Sequence, residues 1–228
     1  MDELMGSAAE QAALVAEFAH PVSRDAERGR VDVLDLGCGT GRLVGALAVA
    51  LPTVRCTGVD WQPQLIEYAE HEYPEAVYHV ADLRSVHLHR SYDIIVCLGD
   101  ALAHLSPEGI DIDRACSVFA EHARPGATLL IGTRTHAAPV PEERRILAPK
   151  PGLLDGPVQL RTSVDVDSQQ RLTLHRVWAF AHGPTVRDQL NLWAHDPDFL
   201  SQRLAEVGFH RRDGPAPVMA FTFDGQSV

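Results

Sequence analysis

Lysine is almost missing from this sequence: Lys150 is the only one. Basic residues number 20 against 31 acidic ones, for a formal net charge of -11. Such a chain repels a phosphate backbone unless it gathers a basic patch. Its arginines offer only isolated pairs, Arg144-Arg145 and Arg211-Arg212, so no nucleic-acid partner is expected. Long apolar runs are lacking too, and nothing approaches the roughly twenty residues of a membrane span. The start, Met1-Asp2-Glu3-Leu4, is acidic where a signal peptide is basic. The expected location is therefore cytoplasmic, with no membrane partner. Cysteine is scarce, and Cys38, Cys56, Cys97 and Cys116 form no CxxC pair. They read as buried thiols in a reducing compartment. The 12 histidines come closest at His87-Leu88-His89, in a polar connection. Without a helical i, i+4 pair or a carboxylate cluster beside it, that spacing predicts no metal site.

What is present is ordinary globular material: 228 residues, 45% hydrophobic and 22% charged, enough for one α/β domain with an appendage. Helical spacing over 8–19, 42–51, 64–71 and 112–123 alternates with apolar runs at 31–36, 54–59, 76–80, 92–98 and 127–131. That alternation predicts a parallel sheet covered by helices. Residues 134–157, carrying Pro139, Pro141, Pro149, Pro151 and Pro157, are expected to be irregular. Runs near 158–166, 171–181 and 185–194 then read as a small antiparallel sheet, the first two joined by a hairpin at Asp167-Ser168-Gln169-Gln170. A helix over 197–207 and a strand over 218–223 return to the core. The organisation expected is a core over 1–133 with an N-terminal lid helix, a substrate-covering β insertion over 134–194, and a return to the core over 195–228.

The most informative stretch is Val33-Leu34-Asp35-Leu36-Gly37-Cys38-Gly39-Thr40-Gly41, a buried strand running into alternate glycines and then a helix. Glycines let the backbone turn sharply and let a ligand approach the main chain. The dinucleotide fingerprint places a glycine where Arg42 stands, which disfavours NAD and FAD. Asp35 would repel a pyrophosphate but can face an ammonium. Together these ask for a nucleoside cofactor that bears positive charge and no phosphate. Asp60 ends the second strand, where a carboxylate can accept from both ribose hydroxyls.

On these residues the chain resembles the class I S-adenosylmethionine-dependent methyltransferases. The resemblance implies a Rossmann-like seven-stranded sheet with helices on both faces, a small antiparallel sheet inserted after the fifth strand, and S-adenosyl-L-methionine as cofactor. Asp35, Gly37, Cys38, Gly39 and Gly41 match the family's first motif. His79-Val80-Ala81-Asp82-Leu83 resembles its adenine station, with Asp82 accepting from the exocyclic amine, Ala81 and Leu83 beside the ring, and Trp61 placed either on the adenine face or in packing. The run Cys97-Leu98-Gly99-Asp100-Ala101-Leu102-Ala103-His104-Leu105 is similar to the glycine N-methyltransferase type, and more loosely to bacterial N-methyltransferases of amino sugars. That likeness puts Leu98 and Gly99 against the cofactor and Asp100 against a substrate amine. Asp stands where that type has Asn, which sets glycine aside as the substrate.

The catalytic candidates are Asp100, His104 one helical turn on, and His136. Asp100 would orient a substrate ammonium and receive its proton, or else cap a helix starting near Ala101. His104 and His136 would serve as bases for a hydroxyl acceptor. On the inserted sheet, Arg161, Arg176, Trp178 and Trp193 are substrate candidates, with Arg161 beside Ser163 on one face and Arg176 beside Trp178 on one face. The expected function is methyl transfer to a small-molecule amine. O-methylation, intramolecular cyclisation of the cofactor's aminobutyrate chain, and cofactor binding without catalysis are the competing readings. A homodimer is compatible with all of them.

Overall fold

The computed structural model describes residues 7–25, 29–108, 110–135, 138–147, 156–168, 171–214 and 218–225. In chain order its elements are α1 (Ala8–Asp25), β1 (Val31–Leu36), α2 (Arg42–Ala50), β2 (Val54–Asp60), α3 (Pro63–Glu72), β3 (Val77–Val80) and β4 (Tyr92–Cys97). A 3-10 helix (Ala101–His104), α4 (Asp111–His122), β5 (Ala123–Ile131), β6 (Val140–Leu147), β7 (Val158–Val166), β8 (Arg171–Phe180) and β9 (Thr185–Trp193) follow. Last come α5 (Pro197–Ala205), β10 (Phe209–Arg212) and β11 (Met219–Phe223). The chain divides into two compact units, one of Met1–Leu102, Pro107–Thr133 and Pro197–Val228, the other of Ala103–Ser106 and Arg134–Asp196.

The first unit holds a seven-stranded sheet in the order β10-β11-β5-β4-β1-β2-β3. Strands β1 to β5 run parallel, and β11 is antiparallel to both β5 and β10. All six residues of β1 are buried, as a strand covered on both faces requires. Val31 and Val33 meet α1, α2 and α3 through Ala12, Val15, Leu43, Leu47 and Ile66. On the opposite face α4 packs against β4 and β5, with Ile112, Ala115, Cys116 and Phe119 buried at helical spacing. Each large side chain so buried contributes roughly 1.5–3 kcal/mol. The doubly covered sheet expected from the alternating pattern is therefore present.

The second unit holds a four-stranded antiparallel sheet, β6-β7-β8-β9. Val164, Leu172, Leu174 and Leu192 bury one face around Ala103. Strand β6 corrects the expectation of an irregular 134–157, of which 136–137 and 148–155 lie outside the described residues. Its sequence, Val-Pro-Glu-Glu-Arg-Arg-Ile-Leu, lacks apolar alternation because it is an edge strand, and proline and charge on an edge discourage pairing with other chains. Strand β10 was not expected either: only Phe209 of its four residues is buried, too little to make a pattern. The expected helix after Ala101 is a four-residue 3-10 turn.

At the amino ends of the parallel strands, Asp32 is buried and bound by three arginines: Arg55 Nε at 2.9 Å, Arg90 Nη2 at 2.6 Å and Arg124 Nη2 at 2.7 Å. Asp93 accepts from the Asp32 N–H at 2.8 Å and from Arg124 at 2.5 Å. Burial opposes ionisation of Asp32, but the Arg124 hydrogen bond and the charges of Arg90 and Arg55 outweigh it and hold the carboxyl below its usual range. A carboxyl lowered in the fold stabilises above its unfolded value, near pH 4, and loses that contribution as pH falls through the folded one. Asp32→Asn is expected to cost about 3 kcal/mol, since it leaves arginines without their buried partner. Urea denaturation at pH 7 and pH 3 checks this: the gap between wild type and variant should narrow at pH 3.

Candidate functional site

The carboxyl ends of β1, β2, β3 and β4 lie side by side in the sheet order, and at such strand ends an open α/β sheet binds its ligand. After β1 the chain turns on Gly37, Gly39 and Gly41, with φ of 84°, 55° and 74°. The N–H groups of Gly37 and Cys38 both donate to the Val59 carbonyl, at 2.8 and 3.0 Å. Gly37 is needed for space as well as for φ, because a Cβ there would lie 2.4 Å from the Ala101 Cβ. A Cβ at Gly39 would meet nothing within 4 Å, and the same holds at Gly99 beyond β4. These two main-chain stretches border open space, the cradle a nucleoside cofactor needs. Gly41 then starts α2.

Asp60 pins this turn. Its Oδ2 accepts from the Gly39 N–H at 2.9 Å, its Oδ1 accepts from the Gln62 N–H at 2.9 Å, and its carbonyl accepts from the Ala81 N–H at 3.0 Å. One hydrogen bond per oxygen leaves a lone pair on each for a ribose hydroxyl. Asp35, buried in β1, has its carboxyl pushed up to about 7 by burial first and by the nearby Asp60 charge second. Cys38 and Leu98 are buried, and Gly99 is exposed. Burial pushes the Cys38 thiol up, which makes it an inert packing group. Trp61 is 69% exposed; of its two expected roles, core packing is removed and the ring is left accessible.

Asp82 is paired within its own chain. Arg84, two residues on, donates to it from Nε and Nη2, and these bonds, stronger here than burial, hold the carboxyl below its usual range. Leu83 and Ala81 are half-buried beside it. Past β4, Asp100 is 3% exposed and adopts φ 67°, a left-handed conformation that Asp tolerates better than most residues. Its backbone departs from the extended conformation typical of an N-cap residue. His104 is exposed at the end of the 3-10 helix. The turn that carries it closes with three residues per turn, not the α-helical turn expected. His136 lies outside the described residues.

The inserted sheet sorts its four candidates by register. Leu160 pairs with Trp178, and Leu172 with Leu192, so Arg176 and Trp178 share the face of the apolar cluster. Arg161 and Trp193 fall on the opposite face. Arg176 Nε and Trp178 Nε1 both donate to Asp188, at 2.6 and 3.2 Å, while Arg161 lies 3.7 Å from Glu142. Asp188 was invisible to sequence reading because its partners are set by pairing between β8 and β9. Arg84 was overlooked although its spacing from Asp82 was in view. Among the described residues no group of His, Cys, Asp or Glu is arranged to hold a metal ion, and no helix is long and apolar enough to cross a membrane.

This architecture, with its glycine turn and strand-end carboxylates, defines the Rossmann-like fold of class I methyltransferases. Residues 33–126 match the family model of the methyltransferase domain. The cofactor of that class is S-adenosyl-L-methionine, and the open main chain at Gly39 and Gly99, with Asp60 and Asp35 beside it, fits that molecule. A dTDP-3-amino-3,6-dideoxy-alpha-D-glucopyranose N,N-dimethyltransferase of Streptomyces fradiae is 28% identical over 116 residues, 51% of this chain and 44% of that protein. A malonyl-[acyl-carrier protein] O-methyltransferase of Acetivibrio thermocellus is 37% identical over 71 residues, 30% of this chain and 25% of that one. The chain thus spans less than half the length of these curated relatives. An amino pentose methyltransferase from Micromonospora echinaspora, solved with S-adenosylmethionine bound, superposes with a TM-score of 0.77 at 19% identity, covering 96% of this chain and 92% of that one. At that identity the likeness is one of fold.

Gly58 of β2 offers a test of how the turn is held. A Cβ there would lie 2.7 Å from the Tyr78 ring and 2.9 Å from Cys38 Sγ. Gly58→Ala is expected to cost about 1–3 kcal/mol by overpacking. Adding Tyr78→Leu should recover part of that loss, as read by chemical denaturation.

Proposed function

We propose that this chain transfers a methyl group from S-adenosyl-L-methionine to an amine nitrogen of a small molecule, in the manner of the amino-sugar N-methyltransferases. The observation that carries the reading is the line of buried carboxylates at the strand ends, Asp35, Asp60 and Asp100, beside an open glycine turn. Such a lining repels phosphate and suits a cofactor and an acceptor that are both cationic. The likeness to the Streptomyces fradiae N,N-dimethyltransferase and the Micromonospora echinaspora amino pentose enzyme supports an amino sugar as the acceptor class. The four cysteines, all free and buried, suit a reducing compartment such as the cytoplasm.

When bound, the cofactor supplies an already activated methyl group on its sulfonium. The protein's work is then placement and proton control. The glycine turn gives the main chain close access to the cofactor, Asp60 receives the ribose hydroxyls, and Asp35 faces the ammonium of the methionine end. Asp100, held in a strained left-handed conformation next to Gly99, is aimed by its backbone, and strain of this kind gathers at functional sites. It orients the acceptor ammonium and takes its proton, since only the neutral amine has a lone pair to attack. Attack needs that lone pair in line at roughly 3–3.5 Å, so orientation supplies much of the rate.

The likeness to the Acetivibrio thermocellus O-methyltransferase supports a second reading, transfer to oxygen. A mass-spectrometric screen of amino sugars, other amines and alcohols with labelled cofactor separates the two. N-methylated product with S-adenosylhomocysteine is expected; methylation at oxygen alone, or release of methylthioadenosine, would refute the amine reading. Asp100→Asn should lower kcat at least about 100-fold, in line with loss of a general base, and leave S-adenosylhomocysteine binding within threefold, roughly 0.6 kcal/mol. The pH dependence of that binding follows from Asp35. With its carboxyl near 7 in the free protein, a cationic ligand binds the ionised form and expels a proton below that pH. Affinity should rise by up to about tenfold per unit towards pH 7 and level off above it. Asp35→Asn should flatten the profile in calorimetry.

A further inference from the structure

Asp82, the carboxylate expected at the adenine, is engaged on both oxygens by its own chain. Oδ1 accepts from the Arg84 backbone N–H at 2.8 Å and from Arg84 Nε at 3.0 Å. Oδ2 accepts from Arg84 Nη2 at 2.6 Å and Nε at 3.1 Å. A carboxylate offers about four lone-pair positions; three N–H groups of Arg84 engage both oxygens, the single Nε–H being shared between them. An exocyclic amine is another N–H donor and must compete with these groups for the same two oxygens. The remaining guanidinium nitrogen, Nη1, already donates to Asp111 Oδ2 at 3.0 Å, at the start of α4. Arg84 therefore bridges two carboxylates, one at the adenine station and one away from it.

From this, and resting on the cofactor reading proposed above, we infer that Arg84 is a specificity-determining residue that competes with the adenine amine for Asp82 and yields the carboxylate by moving onto Asp111. Both side chains of the Asp82–Arg84 pair are more than a third exposed, and exposed ion pairs are weak, so release is cheap. Room for the move exists. A cleft of about 340 Å³ beside α4 is lined by Arg84 together with Ser85, Val86, Asp113, Arg114 and Ser117. The far end of the same connection is anchored: the Leu88 N–H donates to Nε2 of buried His122 at 3.0 Å, and His87 pairs with Glu121. The inferred motion needs only the Arg84 side chain. While the guanidinium stays on Asp82, adenine is recognised by shape alone. Once it leaves, the amine is read.

The test is a pair of titrations of the full chain, with S-adenosylhomocysteine and with its deaminated hypoxanthine counterpart, which lacks the exocyclic amine. Calorimetry on the wild type should show a preference for the amino form of no more than about threefold, roughly 0.6 kcal/mol. In Arg84→Gln, with Asp82 freed, the preference should rise to roughly tenfold or more, about 1.4 kcal/mol. Asp111→Asn, which weakens the alternative site for the guanidinium, should reduce the wild-type preference further. If Arg84→Gln fails to fold by circular dichroism, Arg84→Lys removes the fork while keeping the charge, and should shift the preference in the same direction. An unchanged ratio in the folded variant overturns the role of Arg84 and leaves the cofactor reading standing. A wild type that binds neither nucleoside overturns both.

Discussion

The Asp60 carboxylate holds the Gly39 and Gln62 N–H groups while its carbonyl holds that of Ala81. One residue at the end of β2 therefore joins the glycine turn after β1, the entry to α3 and the connection after β3. Each of these loops leaves a strand with unpaired main-chain donors, and buried donors without partners are costly. Satisfying them from one buried residue, by its carboxylate and its carbonyl, sets the spacing of the strand ends before any ligand arrives. The open main chain at Gly39 and the start of the connection after β3 both depend on that anchorage.

Two carboxylates on β1 show how the same strand separates stability from function. Asp32 and Asp35 lie three positions apart and hence on opposite faces. Asp32, near the amino end, sits among Arg55, Arg90 and Arg124 and is held ionised. Asp35, near the carboxyl end, is pushed up to about 7 by burial and by Asp60. Unlike Asp32, it has no arginine among the causes of its shift, and on the proposed function its counter-charge is a ligand's. An acidic chain with one lysine thus spends arginines at the structural end of its sheet and leaves the ligand end negative.

Much of this was legible beforehand. The strand β1, the glycine turn and the Asp60 position carry local signals: a six-residue apolar run, alternate glycines and a strand-terminal acid. The face-sharing of Arg176 with Trp178 follows from period two and was equally readable. Strands β6 and β10 were not, because an edge strand buries too little to show alternation. The helix expected after Ala101 failed for a related reason. Four residues of good helical propensity cannot say whether the turn closes with three or 3.6 residues, and tertiary packing decided for the tighter one.

By itself the sequence determined the class of fold, the chemistry of the cofactor site and the absence of a phosphate-binding fingerprint, because each depends on residue type at short, regular spacing. Tertiary structure alone decided which carboxylates stand ready and which are taken. Asp82 and Asp188 are claimed by arginines that reach them through a tight turn and a cross-strand register, and Asp100 is buried in a left-handed turn. A carboxylate's availability depends on the donors packed around it, and those come from parts of the chain whose proximity only folding creates.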